Sequence, residues 1–469
     1  MPPTFSHSFS RPLIRSGIYG NLLLFSLNAT SYMQTLYETS GDVVPVSGDR
    51  KYLFAFGPEH NQTVLSNTDV FHNHTYEDIA YLSRSRSYAR ELTTGLAFLN
   101  GPAHRHRRRQ MMPYFRRDWT ARYADAMVTL TEQFISDWDR RDSLELYPEI
   151  EGLVIRIGLQ TLLGLESSSA AMRLQDLLEE LFEVMYSIKY VLSPYNLPGG
   201  PYQRSIAVSK RLSQAMRDLV EEKRAAGLQG DDVLSQLIHL MDASSDFNMD
   251  DLLGTTMGIF RGMYPNAATA LVCSFLLLAL FPETAGQVLQ ELRERVRGRP
   301  PADEDLDHLP LLEGVILESM RLLPPVYWIP RIARAEFTLA DQAFAPGTNI
   351  FLSPYVTHRM PEIYPDPDSF IPSRWIGARQ NTYAYIPFSA GPRRCIGATF
   401  ALKMMKIVMA RILQCYSLSL PDRTRLDFLG IRRPVPRAGT TVRIGPAGRP
   451  ALPTGLHGNF RNFFNYDAS

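Results

Sequence analysis

One thiol stands out by its neighbours. Cys395 lies in Phe388-Ser389-Ala390-Gly391-Pro392-Arg393-Arg394-Cys395-Ile396-Gly397, a glycine-bearing loop with adjacent arginines, directly before the apolar, helix-spaced run from Ala398 to Val408. A thiol at the start of a helix faces backbone N–H groups and the positive end of the helix dipole, and both lower its pKa. That is how a protein makes a thiolate ligand. Gly391 and Gly397 let backbone approach a flat ligand closely, and Phe388 can cover the sulfur side of the loop. The competing reading is a packing cysteine, since free cysteine is often buried.

Two further patterns carry charge at helical spacing. Glu318-Ser319-Met320-Arg321 puts a carboxylate and a guanidinium at i and i+3, on one helical face, where they can pair. His104 and Arg108, at i and i+4 in the arginine-rich stretch Gly101 to Arg109, share another face. Alone, the second pattern reads equally as a solvated basic surface.

The loop around Cys395 resembles the haem-ligand loop of the cytochrome P-450 superfamily, Phe-x-x-Gly-x-Arg-x-Cys-x-Gly, and all five fixed positions match. Glu318 and Arg321, with Arg374 in Phe370-Ile371-Pro372-Ser373-Arg374-Trp375, resemble that family's Glu-x-x-Arg motif and the segment supplying its third member. The resemblance implies a single large, mainly α domain spanning 1–469, with small β-sheets and haem b buried between a long central helix and the cysteine loop. It implies Cys395 as the iron ligand and His104, Arg108, Arg331 and Arg393 as the clamp on the haem propionates, a task suited to planar guanidinium. Glu318, Arg321 and Arg374 become a buried network holding the loop. Val326, Tyr327, Trp328 and Ile329 match a segment bordering the substrate. Being apolar and aromatic, they favour a lipophilic ligand.

The chain departs from the family in its central helix. Counting back from Pro282 places Pro265 and Asn266 where an acid and an alcohol usually relay protons to bound oxygen. Pro265 has no N–H and its ring crowds the carbonyl of Arg261, so a kink or opening is expected. Asn266 can donate and accept but cannot ionise. Arg261, one turn earlier, is a candidate for the distal cavity. The expected activity is monooxygenation of a hydrophobic small molecule, using dioxygen and two electrons. The missing acid keeps open a peroxide-using or peroxide-rearranging enzyme, or a haem-binding protein without turnover.

The rest of the sequence bounds this picture. A net charge of +1 supplies no general field for nucleic acid. Arg105, Arg107, Arg109, Arg116 and Arg117 are surplus to the clamp; exposed, they suit docking of a ferredoxin or flavodoxin fed by its reductase. Cys273, Cys395 and Cys415 are too few for a disulfide framework, which fits a reducing cytoplasm. The apolar run from Ile18 to Leu27 is too short to span a bilayer, so a monomer without a transmembrane anchor is expected. Helical periodicity is clearest over Tyr123–Arg140, Ala171–Tyr190, Ser205–Ala226, Asp250–Leu280, Glu283–Arg297 and Leu311–Leu322. A hairpin is expected within Asp42–Pro58 and strands at Glu336–Leu339, Thr348–Ser353 and Ser417–Ile444. The tail over 447–469 reads as irregular, its Phe460, Phe463 and Phe464 docking on the body.

Overall fold

In the computed structural model of the chain, the described residues are 25, 28–75, 95–165, 169–186, 198–227, 230–429, 434–436, 440–448 and 455–466. The run from Ile18 to Leu27, Phe25 apart, lies outside them, as do residues 187–197 and parts of the C-terminal tail.

Helices dominate. The periodic stretches form Ala124–Ile135 with a 3-10 turn at Trp138–Arg140, then Ser169–Tyr186, Pro201–Ala225, Met249–Leu280, Pro282–Arg295 and Pro310–Leu322. Among the described residues, three helices of eleven residues or more escape the sequence reading: Ala29–Ser40, Leu146–Leu163 and Val233–Ala243. From Leu153 to Leu163 the helix Leu146–Leu163 buries every residue but Arg156 and Gln160, so its polar face is narrow and its period weakly marked.

The central helix, Met249–Leu280, starts on a capping box: Asn248 Oδ1 accepts the Asp251 N–H at 3.1 Å, and the Asp251 carboxylate accepts the Asn248 N–H at 3.2 Å. Every residue from Ala267 to Leu280 is buried, which explains why this helix is long and apolar enough to cross a membrane yet forms the axis of the core. It packs on Leu146–Leu163, Pro310–Leu322 and the helix Ala398–Cys415. The chain stays helical through Pro265, so the opening expected there does not occur.

The hairpin forms as expected, with β1 (Val43–Pro45) antiparallel to β2 (Tyr52–Ala55). With β3 (Phe71–His72), β5 (Ile329–Ala333) and β8 (Asn349–Leu352) they make a sheet in the order β1-β2-β8-β5-β3, in which β2 and β8 run parallel. The remaining strands are short: β4 (Ser143–Glu145) joins β9 (Tyr416–Ser419) and β12 (Thr441–Pro446), β6 (Phe337–Leu339) pairs β7 (Gln342–Phe344), and β10 (Phe428–Leu429) pairs β11 (Val435–Pro436). One hydrophobic cluster runs from Ala29 to Phe464, and Phe460, Phe463 and Phe464 are buried in it, as the docked tail requires.

Candidate active site

The cysteine loop is held by its own backbone. The Cys395 N–H donates to the Phe388 carbonyl at 2.8 Å, and the Arg394 N–H to the Gly391 carbonyl at 3.0 Å. Gly391 has φ 67°, and a Cβ there would stand 2.5 Å from the Leu65 carbonyl oxygen of the helix Pro58–Ser66. Glycine at 391 therefore also lets the loop pack closely against the backbone of that helix. Gly397 has an ordinary φ, and a Cβ there would meet only Phe115, at 4.0 Å. Phe388 is half-buried and gives the thiol's residue its carbonyl.

The thiol itself corrects a second expectation. Cys395 is accessible along one side yet set among protein, and burial pushes its pKa up. The Gly397 N–H, Arg108 and Arg394 pull it down, as the sequence suggests, but do not prevail in the ligand-free chain. A bound metal ion reverses this outcome, because thiolate coordination displaces the proton outright.

Behind the loop, Glu318 and Arg321 sit on one face of Pro310–Leu322 and both are 0% exposed. Arg321 forks onto Glu318, Nε to Oε2 at 2.8 Å and Nη2 to Oε1 at 2.9 Å, and donates to the carbonyls of His358 (2.9 Å), Pro367 (2.6 Å) and Ser369 (3.0 Å). Glu318 also accepts from Arg374 Nε and Trp375 Nε1, each at 2.9 Å, and from the Ile371 N–H at 3.0 Å. Every partner is satisfied, the condition under which a buried charge network stabilises rather than strains. Trp375 is a member the sequence reading missed, although it directly follows Arg374.

On the other side of the loop, four basic residues from three elements converge. His104 and Arg108 come from the helix Gly101–Met111, Arg331 from β5 and Arg393 from the cysteine loop. Burial, then Arg393, Arg108, Arg105 and Arg331, depress the His104 pKa to about 4. Arg331 is held down to about 9 by burial and Arg393, and Arg393 to about 10 by burial and Arg108. Arginine stays protonated regardless; the shifts record how positive this spot is. Arg331 Nη1 has only the Pro330 carbonyl, at 2.8 Å, while Arg393 Nη2 donates to Asn100 Oδ1 at 2.6 Å and to the Leu99 carbonyl, leaving its buried Nε without a partner. Mutually repelling cations with donors to spare fit a buried dianion, and haem carries two propionates. Asn100 was also missed. It precedes Gly101-Pro102, where a helix cap would be read, but its side chain bonds Asn73 and Arg393 instead.

Two glycines of the central helix have open space beside them. At Gly258 and Gly262 an added Cβ would meet nothing within 4 Å. Asn266 Nδ2 donates to the Gly262 carbonyl at 2.8 Å, the acceptor that its own N–H takes in a regular helix. Arg261 lies 4.9 Å from the Phe98 ring centroid, over the segment leading into the His104 helix.

Two sequence readings fail on orientation. Arg107 is buried, not exposed: it packs 4.1 Å from the Phe247 ring centroid and bonds the Asp246 carbonyl (3.1 Å) and Asp251 (3.3 Å). It lies three residues from His104 and four from Met111, on the helix's inner face, so periodicity could have revealed it. Arg105, Arg109, Arg116 and Arg117 are exposed as expected. Tyr327 does not border a cavity; it is 0% exposed and packs on Tyr355 and Phe463. Val326 and Trp328 beside it are half-buried, and Ile329 is buried at the start of β5.

The cytochrome P-450 family profile matches residues 11–431. The chain is 30% identical over 413 residues to cyclooctat-9-en-7-ol 5-monooxygenase of Streptomyces melanosporofaciens, covering 86% of this chain and 84% of that one. It is 26% identical to beta-amyrin 16-beta-monooxygenase of Platycodon grandiflorus, over 93% and 92% of the two chains. The structure superposes on the retinoic acid-bound cyanobacterial CYP120A1 with a TM-score of 0.76 over 90% of this chain and 95% of that one, at 20% sequence identity. A mainly α fold with small sheets, a buried Glu-Arg-Arg network and this profile match lead to one assignment: the chain belongs to the cytochrome P-450 family.

Proposed function

We propose that this haem-thiolate monooxygenase oxidises a bulky, hydrocarbon-rich polycyclic molecule, with Cys395 as the iron ligand. The observation that carries the seating of haem is the buried cation cluster beside Cys395. His104, Arg108, Arg331 and Arg393 hold the two propionates, and the relief of repulsion among the three arginines contributes to binding. Glu318, Arg321, Arg374 and Trp375 fix the segment behind the loop. When bound, haem supplies the activation of dioxygen and the transfer of one oxygen atom to substrate, at the expense of two electrons.

The chain's own residues set the surroundings of that chemistry. The bare helix face at Gly258 and Gly262 leaves room for a wide substrate, as do relatives' substrates such as cyclooctat-9-en-7-ol and beta-amyrin. Val326 and Trp328 give that substrate apolar walls. Neither Pro265 nor Asn266 can deliver a proton from an ionised side chain, and the Asn266 amide is spent on Gly262, so protons arrive through water or a substrate hydroxyl. Electrons come from a ferredoxin or flavodoxin meeting the exposed Arg109 and Arg116, while Arg105 and Arg117 are paired with Asp69 and Asp307. Three free cysteines suit a reducing cytoplasm.

The test is turnover of a panel of polycyclic alcohols with NAD(P)H, a surrogate ferredoxin and its reductase, run beside hydrogen peroxide without electrons. Electron-dependent hydroxylated product supports the proposal. Product with peroxide alone would overturn it in favour of a peroxygenase.

A further inference from the structure

We infer that the C-terminal segment, residues 455–466, helps to select the substrate: Phe463 backs Tyr327 and thereby sets where Val326 and Trp328 stand. The inference rests on the reading that Val326 and Trp328 border the substrate. The family profile ends at residue 431, so this segment lies beyond the part of the chain matched to the family. It nevertheless folds back onto the turn that follows the Glu318 helix. Arg359, itself buried, donates through Nη2 to the Leu322 carbonyl at 2.6 Å and to the Phe463 carbonyl at 2.8 Å, joining the last residue of that helix to the tail. Its guanidinium carbon lies 3.9 Å from the Tyr355 ring centroid, and its Nε pairs with Asp368 at 3.3 Å. The Asp368 carbonyl in turn accepts the Asn465 N–H at 2.7 Å.

Tyr327 sits between these anchors and the substrate-facing residues. Its carbonyl accepts the Ser353 hydroxyl at 3.1 Å, but its own buried hydroxyl has no partner. Packing alone therefore holds the ring: the Tyr355 ring at 5.6 Å, edge on, and the Phe463 ring at 6.5 Å and 15°. Close-packed interiors transmit a lost contact to the neighbours. The neighbours here are Val326 and Trp328. Phe460 offers an internal control, since it is equally buried in the tail but packs on Phe428 at 4.3 Å and Phe464 at 5.1 Å.

The experiment compares Phe463→Leu and Phe460→Leu in the haem-loaded full chain. Two probes are titrated by the Soret band: imidazole, which needs only access to the iron, and clotrimazole, a bulky azole that must also fit the walls. Phe463→Leu should change the ratio of the two dissociation constants by about tenfold, the scale of one methylene's misfit in an apolar pocket. Phe460→Leu should leave the ratio unchanged while lowering the unfolding midpoint comparably. An unchanged ratio in Phe463→Leu, or equal changes in both variants, overturns the inference. Trp328→Ala separates the two levels: if it leaves the ratio unchanged, the reading that this segment borders the substrate fails first; if it shifts the ratio and Phe463→Leu does not, only the role of the tail fails.

Discussion

Replacing Arg321 by alanine should strip the protein of haem. The side chain, itself fully buried, makes two bonds to Glu318 and three to the carbonyls of His358, Pro367 and Ser369. Breaking a buried ion pair typically costs about 3–5 kcal/mol. Glu318 keeps Arg374, Trp375 and the Ile371 N–H, which places the charge loss at the lower end. Three carbonyls without donors raise it again, at about 1 kcal/mol each. A total of about 4–6 kcal/mol consumes much of the about 5–15 kcal/mol that stabilises a typical native protein. Arg321→Lys keeps the charge but not the planar fork, so it should recover only part of the loss. The assay is haem per chain after purification, with the urea midpoint of the same samples. Arg105→Ala is the surface control, because that side chain is half-exposed and pairs only with Asp69, at 3.3 Å. Equal haem content in Arg321→Ala and Arg105→Ala would refute the reasoning.

Arg107→Ala should lower the urea midpoint and the haem content clearly more than Arg105→Ala, since it leaves Asp251 short of a partner and uncovers Phe247; indistinguishable midpoints would contradict the buried placement. In the haem-free chain, acid should destabilise between pH 6.5 and 4. The folded pKa of His104 lies below its ordinary 6.5, so the unfolded state binds the proton first and stability is lost as pH falls through that window, by up to about 3 kcal/mol. His104→Gln should flatten that part of the urea-midpoint profile, and a profile identical to the native one would count against the assignment. With no ionisable group at 265 or 266, electron-driven turnover should be poorly coupled, and Pro265→Glu combined with Asn266→Thr should change product per NAD(P)H more than substrate affinity. Tight coupling in the native protein, with activity destroyed in the double variant, would mean that Asn266 is a tuned part of the mechanism.

The parts legible in the sequence are those where local pattern and contact coincide. Glu318 and Arg321 are three residues apart on one helix, so their pairing could be read directly, and the central helix, apolar over its C-terminal half, could be bounded within a residue. What failed depends on direction in space. Gly391 signals backbone freedom, but only the fold shows how close the Leu65 carbonyl lies. Tyr327 sits in a run of apolar residues whose spacing does not say which face meets the cavity, and its partner Phe463 lies far along the chain. The Cys395 thiol depended on a balance: the lowering contributions were visible in Arg394 and the helix start, whereas the opposing burial exists only once the chain is folded.

The central claim is that Cys395 gives this protein a thiolate-ligated iron. The most direct measurement is the absorption spectrum of the reduced carbon monoxide complex, for the native protein and for Cys395→Ser. The native complex should absorb at the long wavelength characteristic of thiolate-ligated haem, and the variant should lose that band. A histidine-like band in the native protein, or a thiolate band that survives in Cys395→Ser, would contradict the account.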